Sequence, residues 1–279
     1  MPVRSFVLIT VIVSTLLGCS SAISPAPITL STLRVLPKAL AETSGLHCNE
    51  NTMLSINDSG NAAVTYEIDY EGEIVSTTEI NKKNIDWEAI AADKHYIYIA
   101  DVGNNKGKRT DLSIIHYPIN NTSPMITRTI SYAANRVSGN IPYAHDFDAE
   151  AMVAANDTLL LFSKSWRSGI AFVYDITATS ESLLPVAQIE GLPGVITGAD
   201  YDETRNVYVF VGYKSDPFGN FAAFMAQAST NFALLNVWSL ENYQQVEGVC
   251  VDKSGDYWFT EEATKTRAAS LTKAMVSSD

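Results

Sequence analysis

Asp86-Trp87-Glu88-Ala89-Ile90, then Tyr96-Ile97-Tyr98-Ile99, then Asp101-Val102-Gly103-Asn104-Asn105 is the stretch that decides the fold. An acidic residue opens a short apolar run, a polar turn follows, and a second strand leads into a glycine-bearing loop. The same unit recurs along the chain. Ser44-Gly45-Leu46 leads to Met53-Leu54-Ser55-Ile56 and Asn57-Asp58-Ser59-Gly60. Glu150-Ala151-Met152 leads to Leu159-Leu160-Leu161-Phe162 and Lys164-Ser165-Trp166. Thr197-Gly198-Ala199 leads to Val207-Tyr208-Val209-Phe210 and Gly212-Tyr213-Lys214, and Glu247-Gly248-Val249 leads to Tyr257-Trp258-Phe259 and Glu261-Glu262.

The units start at 44, 88, 150, 197 and 247, so the intervals are 44, 62, 47 and 50 residues. A four-stranded propeller blade takes roughly 40–50 residues. An all-β, five-bladed β-propeller is therefore expected, with an insertion at 135–147 in the long interval. Six blades are the alternative if that insertion holds strands. The last unit is short, and the strand-like run at 28–36 precedes the first. It can supply the missing outer strand and close the ring, leaving no open edge.

Closure brings the inner strands of the first and last units together, and with them Cys48 and Cys250. Aligning Ser44 with Glu247 sets Cys48 opposite Val251, so the cysteines project from opposite faces of equivalent strands. Adjacent blades pack opposite faces against each other, which is the parity a disulfide requires. Two separate buried thiols are the alternative.

Inner strands start, and second strands end, at one face of a propeller. That topology gathers Glu88, Glu150 and Glu247 at one mouth of the channel, with Asp86 two residues before Glu88. Asn57, Asp58, Asp101, Asn104, Asn105, Lys164, Trp166, Tyr213, Lys214, Glu261 and Glu262 come from the loops after the second strands, and Arg109 and Asp200 are expected nearby. Converging carboxylates repel one another unless a cation, a proton or a basic residue compensates. Hard oxygen ligands without a His or Cys cluster favour Ca²⁺ or Mg²⁺ over zinc, with Ca²⁺ expected on Glu88, Glu150 and Glu247. The other role open to these glutamates is hydrogen bonding to neighbouring inner strands. No nucleophile elbow, phosphate-cradling loop or paired metal-hydrolase histidines occur in the sequence.

The segments Asp86-Trp87-Glu88-Ala89-Ile90-Ala91, Ala100-Asp101-Val102-Gly103-Asn104-Asn105 with Arg109, Thr197-Gly198-Ala199-Asp200-Tyr201 and Val246-Glu247-Gly248-Val249 resemble a family of secreted bacterial propellers of unassigned function. That family is distantly similar to the SdiA-regulated and esterase-like-phytase propeller groups. The resemblance implies a propeller with a channel-mouth site, but no reaction.

Residues 1–18 read as an export signal: Arg4, then an apolar run too short to span a bilayer, then Leu16-Leu17-Gly18 before Cys19. This tetrapeptide resembles the bacterial lipobox, which implies lipid on Cys19, a tether over 19–27 and a propeller over 28–279. Ser20, where an aspartate would favour inner-membrane retention, implies the periplasmic face of the outer membrane. Asp and Glu number 31 against 19 Lys and Arg, a net charge of −12, which argues against nucleic acid as a partner. The expected function is a membrane-tethered propeller that binds a small ligand, a glycan or an envelope protein. The alternatives are a Ca²⁺-dependent hydrolase of phosphoesters or sugars, and an envelope scaffold.

Overall fold

The structure, a computed structural model, describes residues 27–120, 123–177 and 180–277. The expected signal segment, Cys19 and the tether up to residue 26 lie outside the described residues. Five four-stranded antiparallel sheets make up the fold. Blade 1 runs Thr43–Cys48, Thr52–Asn57, Val64–Asp69 and Ile74–Glu79 from the axis outward. Blade 2 runs Trp87–Ala92, Tyr96–Asp101, Ser113–Pro118 and Ile126–Thr129. Blade 3 runs Ala149–Ala155, Thr158–Ser163, Ala171–Asp175 and Ala187–Ile189. Blade 4 runs Val195–Asp202, Val207–Ser215, Phe221–Ser229 and Leu234–Ser239. Blade 5 joins Val246–Val251, Tyr257–Glu261 and Ser270–Val276 to Ile28–Val35 from the start of the described chain.

The ring has five blades. The 135–147 insertion contributes one 3-10 turn, Val137–Gly139, and no strand. A short parallel pair, Ser131–Tyr132 with Ser182–Leu183, links the edges of blades 2 and 3.

Strand alternation explains how these sequences build a ring. Successive side chains point to opposite faces, so each blade core presents one apolar set to each neighbour. In Thr158–Ser163, Leu159 and Leu161 pack toward blade 2, whereas Leu160 and Phe162 pack toward blade 4. In Val207–Ser215, Tyr208 and Phe210 face blade 3 while Val209 and Val211 face blade 5. The apolar core is accordingly divided into one cluster per seam.

The seam between blades 5 and 1 is closed in two ways. Ile28–Val35 pairs antiparallel with Ser270–Val276, from Ile28 opposite Val276 to Val35 opposite Ser270. A disulfide joins Cys48 to Cys250, with Cα atoms 5.4 Å apart. The register also fixes direction: Ser270 pairs with Glu261 at one face of the ring, so Ile28 and Val276 lie toward the other.

Candidate functional site

Each inner strand breaks register with its second strand at the same place. Trp87 pairs with Asp101 and Ala89 with Ala100, leaving Glu88 as the extra residue of a β-bulge. Glu150, Thr197 and Glu247 are extra in the same way, and Ser44 with Gly45 in blade 1. A bulge bends a strand and re-aims one side chain out of the alternating pattern. Repeated around the ring, it turns all five of these side chains toward the axis at one face. Small residues follow the bulges: Gly45, Ala89, Ala151, Gly198 and Gly248. They let the inner strands meet; a Cβ on Gly248 would lie 2.9 Å from the Gly45 carbonyl carbon. Below the bulges the channel narrows to a void of about 10 Å³, at the lower limit for one water. The mouth is therefore a cup, not a pore.

The cup has a volume of about 710 Å³, within the size range of small-ligand sites. Asp58, Asp86, Glu88, Glu150, Asp216, Glu247 and Glu262 line it, together with Tyr143, Trp166, Tyr213 and Phe221. Among the lining residues the only base is Lys164. Its ammonium bonds the Glu150 carboxylate and donates to the Tyr213 hydroxyl at 3.0 Å. It also sits over the rings of Trp166 and Tyr213, 4.8 and 5.1 Å from their centroids. Lys164 is 3% exposed. Burial opposes its charge, yet Glu150, Tyr213 and Glu247 together hold its pKa well above the ordinary lysine value.

The bulge residues bond around the ring, with one gap. Ser44 donates to Glu88 Oε2 at 3.1 Å, and Thr197 donates to the Val246 carbonyl. Glu150 holds Lys164. Glu247 is 7% exposed and lines the cup, but no donor among the described residues meets its carboxylate. Burial holds Glu247 well above the usual carboxylate range against the pull of Lys164, with Glu150 and Glu262 adding to the shift. Burial, then Glu150 and Asp86, raises Glu88 well above that range too. Burial and Asp58 push Glu262 up to about 8, and burial, then Glu42 and Asp86, push Asp58 up to about 6.

A second layer of side chains positions the first. Asp101 accepts from the Asp86 amide at 3.2 Å and from Arg109 at 2.7 Å, while Arg109 also donates to the Gly103 carbonyl at 2.9 Å. Fully buried Asp148 accepts from the Asn104 amide at 2.6 Å and from the Trp166 indole at 2.9 Å. Gly103 has a steric role: a Cβ there would lie 2.3 Å from Glu88 Oε1 and 2.4 Å from Asp86 Cγ. Gly103→Ala is thus expected to keep the fold, at a cost of about 1–3 kcal/mol, and to push both carboxyl groups out of place. A melting curve together with a ligand titration checks this; a variant that binds as the wild type does would refute it.

Of the site residues expected from sequence, the structure brings Asp86, Glu88, Asn105, Glu150 and Glu247 to the cup. Asp101 and Arg109 lie behind its wall as the pair just described. Glu261 faces away, accepting from the Gln244 amide at 2.7 Å and Arg267 at 2.9 Å, because alternation gives the cup to Glu262 instead. Asp200 is not at this mouth. It lies three residues further down its strand than Thr197, at about 3.3 Å per residue, and lines the opposite opening with Cys48, Val251 and Lys253. No group of three or more His, Cys, Asp or Glu among the described residues is arranged to hold a metal ion. Of the three glutamates expected to hold calcium, Glu150 is engaged with Lys164. Lys164 and Tyr213, expected at the mouth from the repeat, both line the cup.

Fold and site together define a five-bladed β-propeller with a closed, carboxylate-lined cup at one face. No protein-family model and no curated protein matches the chain. Among solved structures it is similar to a streptogramin B lyase structure, with 10% identity and a TM-score of 0.43, over 90% of this chain and 98% of that one. A likeness that distant carries no argument about chemistry.

Proposed function

We propose that this chain is an envelope binding protein whose propeller holds a small polar ligand in the acidic cup. The observation that supports it is Glu247, a residue 7% exposed whose carboxyl group opens on a ligand-sized cavity and meets no hydrogen-bond donor among the described residues. Buried polar groups are normally paired, so an unpaired one lining a cup is a contact awaiting its partner. In this reading Lys164 is the resident cation, and Ca²⁺ on Glu88, Glu150 and Glu247 is the alternative. Calorimetric titration of neutral, cationic and anionic monosaccharides, with and without CaCl₂, tests it. Binding weakened by Glu247→Gln supports the reading. No binding by any probe, with or without calcium, overturns it.

The proposal includes lipid anchoring on Cys19 at the periplasmic face of the outer membrane, supported by Leu16-Leu17-Gly18-Cys19. The closing strand starts at the face opposite the cup. A lipid tether entering there would point the cup away from the bilayer and toward soluble ligands. Cys19→Ser is expected to move the protein from the membrane to the soluble fraction with an unchanged melting curve. Continued sedimentation with membranes would refute the anchor.

A second reading is hydrolysis of a phosphoester or glycoside. Glu88 and Glu150 favour it, being buried carboxyl groups at one mouth, Glu150 pushed up to about 8 by burial against the pull of Lys164. A carboxyl group that holds its proton at neutral pH suits a general acid. Turnover of a chromogenic panel that Glu150→Gln abolishes would establish it, and absence of turnover would remove it.

A further inference from the structure

We propose that the ligand of the cup carries an organic ammonium group, bound on the Glu247 side. The inference rests on the binding reading above and names its ligand class. Lys164 is committed to Glu150 and Tyr213. Across the cup, Glu262 and Asp58 raise the Glu247 pKa and Asp58 raises that of Glu262, while Lys164 is the cation that lowers all three. Among the described residues Glu247 has no donor, and Glu262 receives one, from the Gln245 side-chain amide nitrogen at 2.9 Å on Oε2. Ionised by a neighbouring cation, these carboxylates are acceptors only. What the surface lacks is a donor-rich positive group, and an ammonium brings three donors and the charge together.

Size and charge separate this class from its rivals. A calcium ion needs six to eight oxygens at about 2.3–2.6 Å, whereas the cup encloses about 710 Å³. Tyr143, Trp166 and Phe221 also line that space, adding apolar surface that suits an organic body and ring faces that attract cations. A phosphate or carboxylate ligand would meet like charge on most sides. A neutral sugar could satisfy the hydrogen bonds but would leave burial opposing the ionisation of these carboxyl groups, whereas an ammonium beside them favours it.

The closing experiment uses the full chain in detergent and compares glucosamine, N-acetylglucosamine, glucose 6-phosphate, spermidine and CaCl₂ by calorimetry. Glucosamine or spermidine is expected to bind, at least tenfold more tightly than N-acetylglucosamine or glucose 6-phosphate. Glu247→Gln is expected to weaken that binding at least tenfold while leaving the melting curve in place. Equal binding of glucosamine and N-acetylglucosamine would overturn the ammonium class and leave the cup as a binding site. So would binding of CaCl₂ alone. Silence from every probe would overturn both readings. Glu262→Gln supplies a second variant: with Glu247→Gln unfolded, it should weaken amine binding in the same direction, and unchanged affinity would refute the assignment.

Discussion

Lys164→Met is expected to destabilise the propeller by about 3–5 kcal/mol at pH 9, the range for removing one partner of a buried ion pair. For a domain of this size that corresponds to a fall in melting temperature on the order of 10 °C. Lys164 is the ammonium among seven lining carboxyl groups, 3% exposed, bonded to Glu150 and Tyr213. Without it, Glu150 must be kept protonated or left as a bare buried charge. The pH dependence has a definite sign. Burial raises the Glu150 pKa above the unfolded value, so its contribution to stability is greatest in acid and is lost as pH rises through the folded value of about 8. Lys164 lowers that folded value, so the variant's lies higher still. Below about pH 8 both proteins hold Glu150 protonated, and only packing and hydrogen bonds are lost. Above it the wild type gains an ion pair that the variant lacks, so the deficit grows by about 1.4 kcal/mol per pH unit. Thermal denaturation at pH 6 and pH 9 measures the difference, and Lys164→Met with Glu150→Gln is expected to recover most of it. An equal deficit at both pH values, or a double variant no better than the single one, would show that the lysine acts through packing.

The same lysine shows where sequence reading stops. The repeat is legible because each inner strand pairs a mouth residue with a small one, from Ser44-Gly45 to Glu247-Gly248, and each second strand alternates for two seams. Closure by Ile28–Val35 follows from the shortened last unit. The bulge is not legible, since nothing in Trp87-Glu88-Ala89 distinguishes an extra residue from a paired one. Its consequence is an offset of one. Asn57, Asp101, Ser163, Gly212 and Glu261 pair opposite the residue before each bulge. The next positions hold Asp58, Val102, Lys164, Tyr213 and Glu262, and four of these line the cup. Because the side-chain period is two, Asp101 and Glu261 face the other way, and a sequence reading that gathers both positions of each loop takes in residues the cup does not receive. Charge spacing alone identifies the mouth; the register decides which charges enter it.

Reduction of the Cys48–Cys250 disulfide, or its removal by Cys250→Ser, is expected to cost about 3–5 kcal/mol. The bridge spans 202 residues of sequence, so it closes a loop containing most of the ring. In the chain-entropy account, a longer loop removes more freedom from the unfolded state, though only logarithmically. The seam it crosses is the one place where the ring joins the two ends of the described chain, and there the outer strand of blade 5 is Ile28–Val35. Removing the bridge leaves that strand and the cluster of Leu36, Leu46, Met53, Leu271 and Trp258 to hold blade 5 against blade 1. The loss should therefore be large in melting temperature and small in ligand affinity. Cys48 lines the opening opposite the cup, and the narrow waist of Gly45, Gly198 and Gly248 separates the two. Paired denaturation and binding curves, with and without reductant, test both halves. An unchanged melting temperature would mean that the strand alone closes the ring. A parallel loss of binding would mean that the seam transmits strain from one face of the propeller to the other.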